Sequence, residues 1–517
     1  MKKFKYIGSL IVLIILIISL ASLDSIFKSI SFCEKSKIIF IFTTISMIIL
    51  LILVIYLFLN LNKRKQMESK MKSINDELLK TQEDLRLMAY YDEVVDLPNR
   101  NMFFKIMNDK FNKDLNSEIS GSLLYLDIDN FKNINDIFGH AFGNVFLSEV
   151  AERLKSIDII DKENEHIFRL SGDEYMIVLE GKGREEIEQI AIEIQKSFHK
   201  PFNILNEEIK VTISMGIVFY PKDGYTVDEI FKKADLAMYK AKELGKDRYK
   251  VYEKKIEEEV ANRISFENSL KNALDKDEFI LNYQPQINLS NDEIVGFESL
   301  IRWNSSEYGL VFPMDFIPIA EEIGEINKIG EWVLKEACKF AINIRKKYQK
   351  KIEVSVNISP IQLQKIDFIK MVKKVLKETG AESCLLGIEV TETALMESFE
   401  DNIEKLKELK DMGIKLYLDD FGTGYSSLNY LLKLPIHTIK IDKSFIDDMM
   451  VEEKGRSIIA EIINLAHDID LDVVAEGVEL EDQLSMLKEL KCNVVQGYIF
   501  SKPLSEEDAY DFLQLKL

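Results

Sequence analysis

The sequence predicts four structural parts: a transmembrane helical hairpin, a coiled-coil stalk, an α+β domain with an antiparallel sheet, and a TIM-like (β/α)8 barrel with one antiparallel strand. Three observations predict this arrangement: two long apolar runs near the N-terminus, a heptad repeat after them, and two series of alternating strand and helix patterns. A chain of 517 residues is long enough for more than one hydrophobic core. The predicted boundaries are 1–60 for the hairpin, 61–90 for the stalk, 91–252 for the α+β domain, 253–261 for a linker and 262–517 for the barrel.

Composition narrows the classes of ligand. The net charge of -20 argues against binding to a nucleic-acid polymer, which requires a basic surface. A phosphorylated small molecule remains compatible with this charge if divalent cations lie between carboxylates and phosphates. The cysteines are far apart and form no C-x-x-C motif, so the sequence predicts neither a zinc site nor a disulfide framework. They are Cys33, Cys338, Cys384 and Cys492.

The first sixty residues contain two apolar runs, 7–23 and 38–59. The second is long enough, as a helix, to span about 30 Å of hydrocarbon. Basic residues flank the outer ends of both runs, which favours a two-pass topology in the cell (inner) membrane with both soluble domains in the cytoplasm. A cleaved signal peptide is the alternative for the first run, and two buried core helices are the alternative for both.

The stalk carries apolar residues at alternating spacings of four and three, which is the a/d pattern of a coiled coil. Charged residues occupy most other positions. This pattern predicts a homodimer, and the alternative is a single amphipathic helix packed on its own domain. The seam residues are Met67, Met71, Ile74, Leu78, Thr81, Leu85 and Met88.

The α+β domain places acidic residues where strands end. An apolar strand ends at Asp127 and Asp129, and a helical pattern continues to residue 154. Residues 166–180 form two strand patterns joined at 171–174, which predicts a hairpin with an acidic tip. We expect Asp127 and this tip to meet at one edge of an antiparallel layer, where carboxylates could hold magnesium on a nucleoside triphosphate. The alternative is a plain hairpin turn.

Two sequence motifs distinguish this domain from a general α+β fold: DIDNFKNINDIFGHAFGN and RLSGDEY. They resemble the GGDEF domain of diguanylate cyclases, which join two GTP molecules into cyclic di-GMP, and the resemblance covers the whole segment. It implies that a GTP–Mg²⁺ complex binds here. The implied metal residues are Asp127, the backbone of Ile128, Asp173 and Glu174. The implied contact with guanine is Asn135, and the implied phosphate contacts are Lys132 and Lys242.

The same domain departs from the family pattern at several positions. Asn144 replaces the usual Asp, which weakens recognition of guanine N–H groups, because an amide is both donor and acceptor. Lys246 replaces the usual Arg and loses a bidentate phosphate contact. Asp96 replaces a Gly, and residues 162–165 replace the R-x-x-D product-inhibition motif. These departures predict a domain that binds GTP as a regulator or acts as a weak cyclase.

The barrel is predicted from eight strand-like runs, near residues 279, 294, 352, 386, 414, 438, 473 and 494, most of them separated by helical patterns. The first two runs are joined only by residues 290–292, so one strand must be antiparallel. A turn centred on Asn291 places Gln284 opposite Glu298 as a cross-strand pair.

Polar residues lie within or at the end of every one of these runs. A single one is usually a turn or capping residue, but a full circle predicts an oxygen-rich pocket for magnesium or manganese rather than zinc. Two such ions about 4 Å apart can stabilise an in-line phosphoryl displacement. The residues are Gln284, Glu298, Arg302, Asn357, Glu389, Asp419, Asp420, Lys440, Glu476 and Gln496.

This constellation resembles the EAL domain, a cyclic di-GMP phosphodiesterase, over the entire segment. The shared motifs include ESL (298–300), SVN (355–357), EVTE (389–392), LDDFG (418–422), KID (440–442), AEGVE (475–479) and QGY (496–498). The resemblance implies two Mg²⁺ or Mn²⁺ ions per site and hydrolysis of cyclic di-GMP to linear pGpG. The implied roles are metal binding for Glu298, Asn357, Glu389, Asp419 and Asp420, catalysis for Glu476 with Lys440, substrate binding for Gln284, Arg302 and Gln496, and loop support for Glu392 and Glu479.

The sequence therefore predicts a membrane-anchored, dimeric cyclic di-GMP phosphodiesterase with a GTP-binding regulatory domain. One alternative is a bifunctional enzyme that both makes and hydrolyses cyclic di-GMP. Another is a non-catalytic cyclic di-GMP receptor.

Overall fold

The computed structural model describes residues 14, 17, 18, 21, 32–113, 120–157, 166–396, 398–422, 431–450 and 453–516. The chain divides into two compact units, Met1–Ile256 and Glu257–Leu517. Most of the first apolar run of the predicted hairpin and residues 162–165 lie outside the described residues.

One helix, α1 (Phe32–Tyr90), contains both the second apolar run and the whole stalk. No Gly or Pro interrupts residues 38–90, so nothing in the sequence breaks the helix between its apolar and charged parts. Its apolar side chains are exposed, as Leu50 is at 66%. Among the described residues, this is the one helix that is long and apolar enough to cross a membrane.

The stalk seam on α1 is also exposed. Ile74 and Leu78 retain 55% and 62% of their accessible surface, and the other described seam residues are exposed as well. The seam therefore does not pack on its own unit, which removes the single-helix alternative. The end of the helix is fixed to the rest of the first unit, because the side chain of Asn99 donates to the carbonyls of Ala89 and Tyr91.

The first unit is a sheet covered by helices on both faces. The strands follow the order β2-β3-β1-β6-β7, and β4 and β5 form a separate hairpin. The strands are β1 (Gly121–Ile128), β2 (His166–Ser171), β3 (Glu174–Glu180), β4 (Phe202–Ile204), β5 (Glu207–Ile209), β6 (Ile213–Tyr220) and β7 (Arg248–Val251). The helices are α2 (Arg100–Lys113), α3 (Phe131–Phe138), α4 (His140–Lys155), α5 (Arg184–Phe198) and α6 (Val227–Glu243).

Alternation along the strands explains the two covered faces. Leu124 and Leu126 belong to one hydrophobic cluster with residues of α4 and α5, whereas Leu123 and Tyr125 belong to a second cluster with residues of α2 and α6. Successive strand residues point to opposite faces, so both faces of β1 are buried.

Two details differ from the predicted antiparallel layer. Strands β6 and β7 pair in parallel, because helix α6 lies between them in the chain and allows the second strand to run in the same direction. The predicted continuous helix to residue 154 is two helices, since Gly139 adopts a left-handed φ of 84° between α3 and α4.

The second unit is a closed barrel with an additional edge strand. Its strands are β8 (Phe279–Asn288), β9 (Ile294–Ser305), β10 (Gly309–Val311), β11 (Glu353–Asn357), β12 (Leu386–Thr391), β13 (Lys415–Phe421), β14 (Thr438–Ile441), β15 (Asp472–Ala475) and β16 (Val494–Val495). The described helices of the unit, with one that begins just before it, are α7 (Lys255–Lys271), α8 (Pro313–Glu322), α9 (Ile326–Tyr348), α10 (Pro360–Gln364), α11 (Phe368–Thr379), α12 (Glu392–Met396), α13 (Phe399–Asp411), α14 (Lys443–Asp448), α15 (Glu453–Asp468), α16 (Glu481–Glu489) and α17 (Glu506–Lys516). Most of the predicted linker is the start of α7.

The order of pairing confirms the predicted barrel with one antiparallel strand. Strand β8 pairs antiparallel with both β9 and β16 and so closes the barrel, while the strands from β9 through β11 to β16 pair in parallel. Gln284 lies opposite Glu298, as the turn centre predicts. The unpredicted strand β10 pairs with the outer end of β9.

Barrels of this type usually have an apolar interior, but here buried polar side chains lie near the end of the barrel where the parallel strands begin. Tyr417 on β13 donates a 2.5 Å hydrogen bond through its Oη to Glu353 on β11. Strand β12 lies between these two strands, so the bond passes over it. Gly387 on β12 leaves the room, since a Cβ there would lie 2.5 Å from Glu353 Oε1 and 2.9 Å from the Tyr417 ring. Burial raises the pKa of Glu353, against the nearby Lys415 ammonium.

Candidate active site

The ends of neighbouring barrel strands supply one group of polar side chains. Asn357 is the last residue of β11, Glu389 lies in β12, and Lys440 lies in β14. Glu476 and Gln496 directly follow β15 and β16. The carboxyl ends of parallel barrel strands lie at one end of the barrel, which is why residues far apart in sequence meet there.

The ammonium of Lys440 lies at the centre of this group. Its Nζ is 2.5 Å from Glu389 Oε2 and 2.5 Å from Glu476 Oε1. It is 3.3 Å from both Glu298 Oε2 and Asp419 Oδ1. The Lys440 side chain is only 1% exposed, so a single buried cation contacts four carboxylates from four strands or strand ends.

The carboxylates of this cluster outnumber its cation, and their pKa values reflect that imbalance. Burial, with the neighbouring Glu298 carboxylate, raises the pKa of Glu389 well above its usual range. Burial also raises the pKa of Glu476, to about 8. For Lys440, burial alone would lower the pKa, but the surrounding carboxylates raise it well above the usual value.

Side-chain amides hold the two oxygens of Glu298. Asn357 Nδ2 donates to Glu298 Oε1 at 2.7 Å, and Gln496 Nε2 donates to Glu298 Oε2 at 2.5 Å. Gln496 Nε2 also lies 3.1 Å from Gln284 Oε1, which accepts from it. These bonds, with Lys440, outweigh the effect of burial and lower the pKa of Glu298. The predicted set of Gln284, Glu298, Asn357 and Gln496 therefore forms one connected network.

Two supporting residues were not predicted from the sequence. Gln286 is buried and donates to Gln496 Oε1 at 3.1 Å, which orients the Gln496 amide so that its nitrogen faces Glu298. Gln286 follows Gln284 by two positions and therefore shares its face of the strand, which is the signal that could have identified it. Ser299, which stands in the ESL motif, donates to the carbonyl of Ser355 on the neighbouring strand at 2.6 Å.

Strand β13 contains a local irregularity at Asp419 and Asp420. Asp420 has a φ of 53°, a left-handed conformation that Asp adopts more readily than most residues, and the pairing of β13 with β14 is irregular at this point. The Asp420 amide lies 3.0 Å from Asp419 Oδ1. Asp419 is buried and Asp420 is exposed. At this irregularity an exposed carboxylate therefore follows directly after the buried one.

Three further predicted residues lie away from the centre of the cluster. Arg302 donates to the carbonyl of Ile301 and stacks 5.3 Å above the Phe312 ring. Glu479 forms an exposed ion pair with Lys443 rather than contacting the cluster. Glu392 begins helix α12, and it was predicted to support the loop of residues 419–427, of which residues 423–427 lie outside the described residues.

In the first unit, the predicted metal residues meet at the end of β1. Asp127 lies opposite Glu174 in the pairing of β1 with β3, and its carboxylate is 2.6 Å from Lys242 Nζ. The Ile128 amide contacts the carbonyl of Asp173 at 3.4 Å. Burial raises the pKa of Asp127 to about 6, although Lys242 opposes this shift.

The other residues predicted to contact the nucleotide are exposed or make different contacts in the described part of the chain. Lys246 Nζ donates to Asn130 Oδ1 at 2.7 Å, and the Asn135 side chain lies against Gly143. Lys132 and Asn144 are exposed. Arg169, which was not predicted, holds the hairpin tip, because it donates twice to the Gly172 carbonyl and pairs with Asp92 at 2.6 Å.

Comparison with protein families identifies both units. A model of the EAL domain matches residues 267–503, and a model of the diguanylate cyclase GGDEF domain matches residues 89–248. Together the two models match more than half of the chain.

Curated relatives share the tandem arrangement over most of this chain. The signaling protein YkoW of Bacillus subtilis is 38% identical over 437 residues, which cover 84% of this chain and 54% of YkoW. MucR of Pseudomonas aeruginosa, named a bifunctional diguanylate cyclase/cyclic di-GMP phosphodiesterase, is 32% identical over 85% of this chain and 64% of MucR. The chain thus spans between about half and two thirds of the length of these relatives.

A third relative and a solved structure extend the comparison. PdeR of Escherichia coli, named a cyclic di-GMP phosphodiesterase, is 34% identical over 82% of this chain and 63% of PdeR. A solved structure described as the PaMucR phosphodiesterase in complex with c-di-GMP is 36% identical, covers 47% of this chain and 98% of its own, and has a TM-score of 0.45. The chain belongs to the tandem GGDEF–EAL family, with a GGDEF domain followed along the sequence by an EAL domain.

Proposed function

We propose that the barrel hydrolyses cyclic di-GMP to linear pGpG with the help of two divalent metal ions. The observation that carries this proposal is the buried cluster of carboxylates around Lys440, at the end of the barrel where this fold places its active sites. The names of MucR and PdeR, which describe cyclic di-GMP phosphodiesterases, support the choice of substrate.

The chemistry of the cluster fits divalent cations. Lys440 supplies one positive charge to four contacting carboxylates, and Asp420 follows directly in the chain. Glu389 Oε1 is buried and has no hydrogen-bond partner in the described part of the chain. Among the described residues, no group of three or more acidic, His or Cys side chains stands in ion-binding geometry, and in this cluster Lys440 Nζ lies between the carboxylates. Carboxylate and amide oxygens are the ligands that magnesium and manganese prefer.

In this proposal the metal residues are Glu298, Asn357, Glu389, Asp419 and Asp420. When bound, the ions supply Lewis-acid stabilisation of the phosphoryl group and lower the pKa of the attacking water. The amides of Asn357 and Gln496 orient Glu298 before any ion binds.

The remaining residues orient the reactants. Glu476 is half-buried beside Lys440 at the end of the barrel, where its carboxylate can hold the attacking water and accept its proton. Lys440 orients the Glu476 carboxylate through its 2.5 Å contact. Arg302 is half-buried and has guanidinium donors beyond the one bonded to Ile301, so it can bind a substrate phosphate. Gln284 and Gln496 help to seat the substrate.

The GGDEF domain binds GTP with magnesium in this proposal and acts mainly as a regulator. The contact between Asp127 and Lys242, with Glu174 opposite, provides the charges that a nucleotide–metal complex needs. The exposed Asn144 and the Lys246–Asn130 bond replace stronger guanine and phosphate contacts. A bifunctional enzyme is the second candidate, favoured by the intact Asp127, Asp173 and Glu174 set and by the name of MucR. A pure receptor is less well supported, since binding alone does not require the full carboxylate cluster.

The protein is anchored in the membrane through α1, with its soluble domains in the cytoplasm, and forms a homodimer through the exposed stalk seam. The helix is apolar from residue 38 to 59 and carries the heptad repeat from residue 67. Burial of the seam residues between two copies removes their apolar surface from water.

We expect Asp419→Asn to lower pGpG formation by more than about a hundredfold, because it removes a charge from a proposed metal ligand without changing its volume. The rate is measured by chromatography with the full-length protein in detergent and Mg²⁺. Asp447→Asn, an exposed change on α14, serves as the control and should keep the wild-type rate. Near-normal product from Asp419→Asn would contradict the two-metal assignment.

The stalk dimer predicts a directional cross-link. In full-length protein with Cys33 and Cys384 replaced by serine, Ile74→Cys should form a disulfide-linked dimer on mild oxidation in membranes. Asp76→Cys lies on the opposite side of the heptad and should cross-link at least about fivefold less. Non-reducing gel electrophoresis gives the dimer fraction, and equal cross-linking at both positions would contradict the proposed seam.

GTP should stimulate hydrolysis of cyclic di-GMP about fivefold or more, a coupling typical of regulatory sites, while itself being converted only slowly. Asp173→Ala should abolish the stimulation, and the exposed change Asp228→Ala should not. The measurement is pGpG formation with and without GTP. If GTP has no effect, and Asp419→Asn protein rapidly makes cyclic di-GMP from GTP, the bifunctional alternative replaces the regulatory one.

A further inference from the structure

Lys440 is held in the centre of the carboxylate cluster by the strand that carries it. Its neighbours Ile439 and Ile441 are fully buried on the other face of β14, and its own side chain is 1% exposed. The ammonium is therefore almost completely shielded from bulk water. Among the described residues, Lys440 is the one cation in ion-pair contact with Glu298, Glu389, Asp419 and Glu476.

Three of the four carboxylates that contact Lys440 are also proposed metal ligands. These are Glu298, Glu389 and Asp419, and the oxygens involved are Oε2, Oε2 and Oδ1. Glu476 is the fourth, and it is assigned to the attacking water rather than to metal. An ion that takes the first three oxygens must replace the ammonium there, whereas the contact with Glu476 can persist.

We propose that Lys440 is a built-in counter-ion that competes with the divalent ions and thereby sets the affinity of the barrel for them; this inference rests on the proposed two-metal function. Its ammonium stabilises the carboxylates against their mutual repulsion before an ion binds. When an ion is bound, the Lys440 ammonium would no longer contact Glu298, Glu389 and Asp419, and it would retain its contact with Glu476. The same residue thus stabilises the fold without metal and positions Glu476 when metal is present.

Electrostatics fixes the direction of the effect. A positive charge buried beside a metal site repels the incoming ion, and this repulsion is stronger in a protein interior than in water. Removal of the ammonium therefore tightens metal binding. It also leaves several buried carboxylates without a cation, which destabilises the protein in the absence of metal.

The test compares Mn²⁺ binding to full-length protein in detergent, without nucleotide, by electron paramagnetic resonance of free Mn²⁺. Lys440→Met keeps the length of the side chain and removes its charge, and we expect its dissociation constant to fall at least about tenfold. Lys440→Arg should stay within about threefold of wild type, because the positive charge beside the metal site is retained. Lys443→Met, which removes an exposed lysine that pairs with Glu479, is the matched control and should leave Mn²⁺ affinity unchanged.

Thermal unfolding provides the second readout. Lys440→Met should melt at a lower temperature than wild type in a chelator and should regain stability when Mn²⁺ is added. Equal or weaker Mn²⁺ binding by Lys440→Met, or failure of saturating Mn²⁺ to stabilise it, would overturn the inference while leaving the metal assignment intact. If wild type and Asp419→Asn bind equal amounts of Mn²⁺, the proposed metal site itself is wrong and the inference is lost with it.

Discussion

Repulsion among the carboxylates at one end of the barrel is the constraint on which the rest of the second unit depends. Glu298, Glu389, Asp419 and Glu476 converge on one buried ammonium, and burial of unneutralised charge is costly. The fold tolerates this because the opposite faces of the same strands are apolar. Val354, Ile388, Leu416 and Ile439 are fully buried in the core between the barrel and its helices. The apolar layer stabilises the barrel, and the polar end is then available for chemistry.

Most of the barrel could be predicted from the sequence because its signals are local. Apolar runs ended by acidic or amide residues identify the parallel strands, and the short 290–292 connection requires an antiparallel one. A turn centred on Asn291 predicts that Gln284 pairs with Glu298, and the structure confirms this pairing. The set of polar residues was predictable for the same reason, since each lies within or at the end of a recognisable strand.

What could not be predicted depends on contacts between distant segments. Tyr417 and Glu353 are 64 residues apart, and only the closed barrel shows that they bond over Gly387. The position of Lys440 among the four carboxylates could not be predicted either, because the sequence shows it only as the lysine of a KID motif. In the first unit, the parallel pairing of β6 with β7 depends on where α6 returns the chain. The break at Gly139 has a local cause, but glycine alone does not distinguish a helix end from a tolerated interior residue.

The chain combines a GGDEF domain, a helix that is long and apolar enough to cross a membrane, and an EAL barrel, and we propose that the barrel cleaves cyclic di-GMP. The most direct measurement incubates the purified full-length protein in detergent with cyclic di-GMP and Mg²⁺ and identifies the products by liquid chromatography and mass spectrometry. We expect linear pGpG to accumulate and a chelator to stop its formation. Recovery of bound but intact cyclic di-GMP under the same conditions would contradict the claim and indicate a receptor instead.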